Sequence, residues 1–165
     1  MGQNIASNSR MAGELGAGVG AGEWLERLVA YLVSFVLTTA VVVYGLDLPS
    51  YLSGAPKLVN EYYYTNFWKS NVLDVILIAA YIWNGMVLAG VLGIADSTAG
   101  QVMGIAVASA AISSVFAAWF LSYPRTSSFF SRWFHAAGWS AVIYDVIIVT
   151  TIYWVAAAGS QRIGL

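Results

Sequence analysis

The chain has 165 residues, of which 59% are hydrophobic and 9% are charged, and its net charge is −1. Soluble domains carry roughly 25% charged residues, so the composition excludes an ordinary soluble protein, and it offers no basic footprint for nucleic acid. The absence of cysteine excludes disulfides, thiolate metal sites and thiol catalysis.

Four apolar runs account for the hydrophobic excess. Their approximate bounds are residues 25–46, 72–95, 102–121 and 136–158. Each reaches the ~20 residues that an α-helix needs to cross ~30 Å of hydrocarbon. The sequence therefore predicts an all-α integral membrane protein with a four-helix transmembrane domain over residues 23–160. Composition predicts a flexible Gly/Ala/polar tail over residues 1–22 and a short C-terminal tail over 161–165.

A pattern that begins at Trp68 recurs at Trp139, 71 residues later. An aspartate follows each tryptophan after six residues, as Asp74 and Asp145, and another tryptophan follows each aspartate after nine. The offset predicts two helical hairpins. They are either a duplicated pair related by an axis along the membrane normal, or a coincidence between Ile- and Val-rich helices.

Small residues recur every four positions on the second and third predicted spans, at Gly85, Ala89 and Gly93 and at Gly100, Gly104 and Ala108. This spacing lets helix backbones approach closely in lipid. The two interpretations are internal packing of the bundle, which we favour because a tight turn joins these spans, and a dimerisation face.

The first and third connections are rich in aromatic residues. After Pro124, the rings of Phe129, Phe130, Trp133 and Phe134 fall on one helical face, which predicts a helix lying in the membrane interface. We expect Trp68, Trp133 and Trp139 to be interfacial anchors. The alternative is a docking surface for a partner or a lipid.

Asp74 and Asp145 are the strongest functional candidates, because acidic residues within membrane spans are costly and rare. The sequence offers Lys69, Asn71 and Tyr81 as partners for Asp74, and Arg132, His135 and Ser140 as partners for Asp145. One hypothesis is that each aspartate tethers its span to a neighbouring loop. The others are an ion-handling pair that faces a central cavity, and a contact between subunits.

The sequence contains no catalytic constellation, metal-ligand spacing or cofactor motif. We therefore predict a non-enzymatic protein without metal or cofactor. The expected role is a structural or accessory subunit of a larger membrane assembly, with lipids and other membrane subunits as partners. The motif at residues 74–80 and 145–151 resembles segments of small multispan proteins of large DNA viruses and of accessory subunits of organellar complexes. The alternative is a small channel or transporter that handles protons or cations through Asp74 and Asp145.

Overall fold

A computed structural model describes residues 21–162, and in this range the chain is helical apart from short turns, with no strand. The α-helices run over Ala21–Thr39 (α1), Leu48–Ser53 (α2), Pro56–Asn60 (α3), Phe67–Val91 (α4), Thr98–Ser122 (α5), Phe129–Ala137 (α6) and Ser140–Arg162 (α7). Two π-helical segments, Ala40–Gly45 and Glu61–Thr65, extend α1 and α3. The predicted tails, 1–22 and 161–165, lie outside the described residues apart from two residues each.

Four segments of the described chain are long and apolar enough to cross a membrane, in agreement with the four predicted spans. They are Gly22–Gly45, Phe67–Val91, Thr98–Ser122 and Ser140–Gly159. The second span begins at Phe67, five residues before the predicted apolar run, because residues 67–71 are already helical. The fourth span, α7, begins at Ser140 and not at residue 136 as predicted. Residues up to Ala137 belong to α6, which ends at Gly138, whose φ is 55°.

The packing order of the spans differs from their order along the chain. Helix α1 packs against α7, α7 against α5, and α5 against α4. The first two spans make little direct contact, although the Tyr31 hydroxyl donates a hydrogen bond to the Val75 carbonyl. The second expected hairpin, α5 with α7, is thus closely packed, while α2, α3 and the second π-helical segment intervene between α1 and α4 in the chain. The hairpin arrangement and the repeat stay predictions.

Close approach of α4 and α5 depends on two glycines. A Cβ on Gly85 would lie 2.3 Å from the Ile105 Cα, and one on Gly104 would lie 2.7 Å from the Gly85 carbonyl oxygen and 2.8 Å from the Ala89 Cβ. Real Cβ atoms do not approach other atoms so closely. The small residues on these helices therefore pack inside the bundle, and Ala108 is buried with them.

Two of the six small residues have other roles. Gly93 lies beyond the end of α4 with a φ of 68°, and nothing is within 4 Å of its added Cβ, so its place in the packing stripe was wrongly predicted. Because α4 ends at Val91, the four-residue spacing no longer places Gly93 on the same helical face as Gly85 and Ala89. Gly100 contacts the turn, since its Cβ would lie 1.9 Å from the Ile94 carbonyl oxygen.

Candidate functional site: a cavity with two carboxylates

A cavity of about 250 Å³ within the bundle is lined by both Asp74 and Asp145. All four spans contribute to its wall, together with α6 and the π-helical segment that follows α3. Eleven of its lining residues are aromatic, so the two carboxyl groups lie in a largely apolar surround. The aromatic lining residues are Phe35, Tyr62, Tyr63, Tyr81, Phe116, Phe120, Phe129, Phe130, Trp133, Phe134 and Tyr144.

Asp74 is held by a tyrosine of the first aromatic connection. The Tyr62 hydroxyl donates a hydrogen bond of 2.6 Å to Asp74 Oδ1. The Tyr62 ring is buried and stacks on Phe129, with 4.5 Å between the ring centroids. Burial, and then the nearby Asp74, raise the pKa of Tyr62 well above its ordinary value, so the phenol remains a donor.

Asp145 is held by a serine of the third span. Ser113, which is fully buried, donates from Oγ to Asp145 Oδ2. The Tyr81 hydroxyl lies 3.2 Å from Ser113 Oγ. Because Ser113 has one hydroxyl proton and gives it to Asp145, Tyr81 is the donor in that second bond. A hydrogen-bonded chain therefore joins α4, α5 and α7 and ends at the carboxylate.

The partners expected from the sequence are mostly engaged elsewhere. Tyr81, expected at Asp74, bonds to Ser113 instead. The Asn71 amide donates to the Phe67 carbonyl of its own helix, and Lys69 is exposed. Short side chains on a helix find a carbonyl one turn back more easily than an acceptor three residues away.

The partners expected at Asp145 were also wrong. Arg132 pairs with Glu61, and His135 Nδ1 lies 2.8 Å from the Ser131 carbonyl oxygen. No bond joins Ser140 to Asp145 among the contacts of the described residues. Arg132 and Trp133 are adjacent in α6, and neighbouring residues of a helix point in different directions. Because Trp133 lines the cavity, Arg132 points away from it.

Glu61 and Arg132 form a two-point ion pair between the two aromatic connections. Arg132 Nη1 lies 2.8 Å from Glu61 Oε2, and Nη2 contacts Oε1. Hydrogen bonding to Arg132 holds the pKa of Glu61 below its ordinary value, and the same bonds raise the pKa of Arg132. This geometry is the planar fork-to-carboxylate pairing that arginine favours.

One face of helix α6 packs into the bundle, so Trp133 and Phe134 do not meet lipid, and the position of the helix relative to a membrane interface stays a prediction. Trp133 and Phe134 are only 9% and 5% exposed. Phe134 stacks on Phe120 of the third span at 5.3 Å, and Trp133 contacts Tyr144 of the fourth. Trp133 therefore forms part of the protein core and of the cavity wall, and it is not an anchor.

Trp68 and Trp139 have exposed side chains, at 78% and 56%. Exposed indoles at the ends of membrane helices commonly lie at headgroup depth. Their role as interfacial anchors stays a prediction.

The sequence-based search missed Tyr62, Ser113 and a pair of buried phenols, Tyr63 and Tyr144, whose hydroxyl oxygens are 2.7 Å apart. A signal for Tyr62 and Tyr63 was present, because the run Tyr62–Tyr64 supplies hydroxyl donors close in sequence to Asp74. A buried carboxylate can be held by hydroxyl donors alone, and here those donors come from other segments of the chain than the candidates named from the sequence.

The lining of the cavity contains two carboxyl groups and no lysine, arginine or histidine. Such a site can exchange a proton or accept a positively charged ligand. No family of known proteins, no curated protein and no solved structure matches this chain.

Proposed function

We propose that this protein binds and moves protons or cations within a membrane, using Asp74 and Asp145. The observation that supports this proposal is that both carboxyl groups line one cavity whose wall carries no basic side chain. The alternative that the sequence offered, a small channel or transporter, requires both carboxyl groups to face one polar cavity; here they line one cavity, although the rest of its wall is largely apolar.

The physical reason is the cost of an ionised carboxylate in an apolar surround. Transfer of an unpaired charge out of water is unfavourable by several kcal/mol even after relaxation. Each aspartate accepts a hydrogen bond from a neutral hydroxyl, Tyr62 or Ser113, which lowers that cost without neutralising the charge. A bound proton or cation would neutralise the remaining negative charge. Its exchange between the two sides of a membrane would be transport.

Proton or cation flux into proteoliposomes tests the proposal directly. The test variant is Asp74→Asn/Asp145→Asn, because asparagine keeps an oxygen that accepts from Tyr62 and Ser113 while losing the charge. We expect at least a tenfold loss of flux, which corresponds to about 1.4 kcal/mol. Asp96→Asn, in the exposed turn between α4 and α5, is the matched control and should retain parental flux. A parent protein that moves neither protons nor alkali or organic ammonium cations would refute the proposal.

A structural or accessory role in a larger membrane assembly is the second candidate. The bond from Tyr62 to Asp74 supports it, since this bond tethers a span to the preceding connection. The partners would be lipids and other membrane subunits. After mild detergent extraction, native gel migration as a larger complex would support this role, whereas a partner-free monomer at native abundance would argue against it.

We also infer that the two halves are a duplicated pair. The contact between α1 and α7 would then correspond to that between α5 and α4, and both contacts are extensive. Parallel repeats of this kind exchange by rotation about the membrane normal, which places equivalent residues at equal depth. The weak contact between α1 and α4, compared with that between α5 and α7, is the departure from symmetry.

A further inference from the structure

We propose that the ligand of the cavity is a small organic ammonium ion with an apolar or aromatic body. This inference rests on the proposed function and names its substrate class. The ammonium group would lie at Asp74 and Asp145, and the body would lie against the aromatic wall.

The wall favours such a body because eleven of its lining residues are aromatic, and several of their rings stack on one another. Tyr62 stacks on Phe129 at 4.5 Å, and Phe120 stacks on Phe134 at 5.3 Å. Aromatic rings near a cation attract it through their quadrupoles, most strongly where water is excluded. Apolar walls with a few placed polar groups are also the usual form of a small-molecule site.

The donor set is less suited to a bare metal ion. Calcium takes six to eight oxygen ligands, and magnesium keeps several waters in a rigid octahedron. The described residues contain no cluster of three or more metal-ligating side chains. A hydrated metal ion in this cavity would also leave the aromatic rings in contact with water, which an organic cation avoids.

The size of the cavity sets a limit on the ligand. A volume of about 250 Å³ is far above the ~15 Å³ that one water needs. It is slightly below the ~300–1,000 Å³ of pockets for drug-sized molecules. One ring with a short ammonium arm therefore fits better than a multi-ring compound.

Binding of benzyltrimethylammonium to the full-length protein in nanodiscs, measured by calorimetry, tests this inference. Tetramethylammonium carries the charge without the ring, and benzyl alcohol carries the ring without the charge. We expect both to bind at least tenfold more weakly than benzyltrimethylammonium. Equal binding of all three probes, or no binding of any, would overturn the inference.

Variants of the site provide the second measurement. The Asp74→Asn/Asp145→Asn protein should bind benzyltrimethylammonium at least tenfold more weakly. Phe129→Leu should weaken binding about twofold to thirtyfold, the range expected for one cation–π contact. Phe67→Leu, outside the cavity lining, is the control and should bind as the parent does. If a variant fails to fold, the three-probe comparison on the parent decides alone.

The two proposals fail in distinguishable ways. A protein that moves protons or sodium ions but does not bind benzyltrimethylammonium keeps the proposed function and overturns the ligand class. If the protein binds this probe through the two carboxylates but shows no flux of any cation, the ligand class stands and the transport proposal is refuted.

Discussion

Glu61 and Arg132 form a two-point ion pair although they lie 71 residues apart, which is also the separation of Asp74 and Asp145. Residues that a two-fold axis exchanges can contact each other only near that axis. In the proposed repeat, the axis would therefore pass between the second π-helical segment and α6, beside the cavity that the two aspartates line.

The ion pair predicts a pH-dependent loss of stability. The pKa of Glu61 is lowered in the folded protein, so the pair contributes fully above the ordinary glutamate pKa of about 4.5 and is lost as the pH falls through the lowered value. In detergent, Glu61→Gln should lower the thermal midpoint at pH 7 and have a smaller effect at pH 3. Lys57→Gln removes an exposed charge of the same connection without breaking the pair, so it is the control. Equal effects of Glu61→Gln at both pH values would contradict this account.

Gly85→Ala should destabilise the bundle by about 1–3 kcal/mol, the range for overpacking. The new Cβ would lie 2.3 Å from the Ile105 Cα, so α4 and α5 must separate. Gly90→Ala is a matched control on the same helix, because nothing lies within 4 Å of its added Cβ. Unfolding free energies in mixed micelles measure both changes. Equal effects at the two glycines would show that α4 and α5 do not pack this closely.

Tyr62→Phe should destabilise the protein by about 1–3 kcal/mol, because Asp74 then loses its donor. The phenyl ring keeps the stacking on Phe129, so the change isolates the hydroxyl. Tyr64→Phe, at a side chain that is 54% exposed, should alter stability by less than ~0.5 kcal/mol. If the two variants unfold alike in denaturant, the bond to Asp74 does not stabilise the fold.

Quenching by brominated lipids should separate buried from lipid-facing tryptophans. The chain has seven tryptophans, so each measurement uses a variant that keeps one and replaces the other six with phenylalanine. Trp68 and Trp139 should report the same shallow depth, and Trp83 a deeper one, since it lies 15 residues, ~22 Å, along the helix from Trp68. Trp133 should be weakly quenched because it is buried. Unequal depths of Trp68 and Trp139 would refute the proposed internal repeat.

The membrane class and the candidate aspartates were readable from the sequence because they depend on local properties. Whether a segment can span a membrane follows from the length and hydropathy of some 20 consecutive residues. An acidic residue inside such a segment is conspicuous without knowledge of its neighbours, and Asp74 and Asp145 do lie in helices that are long and apolar enough to span a membrane. The close packing of Gly85 and Gly104 followed from their spacing in the same way.

Only the tertiary structure decided which groups meet these residues. The donor to Asp145 comes from 32 residues away, and Arg132 finds its acceptor 71 residues away, so helix packing brought together residues that the sequence analysis had not paired. The burial of Trp133 has the same origin. An apolar helical face fits a lipid interface or a protein core equally well, and the rings of neighbouring helices determined which of the two it meets.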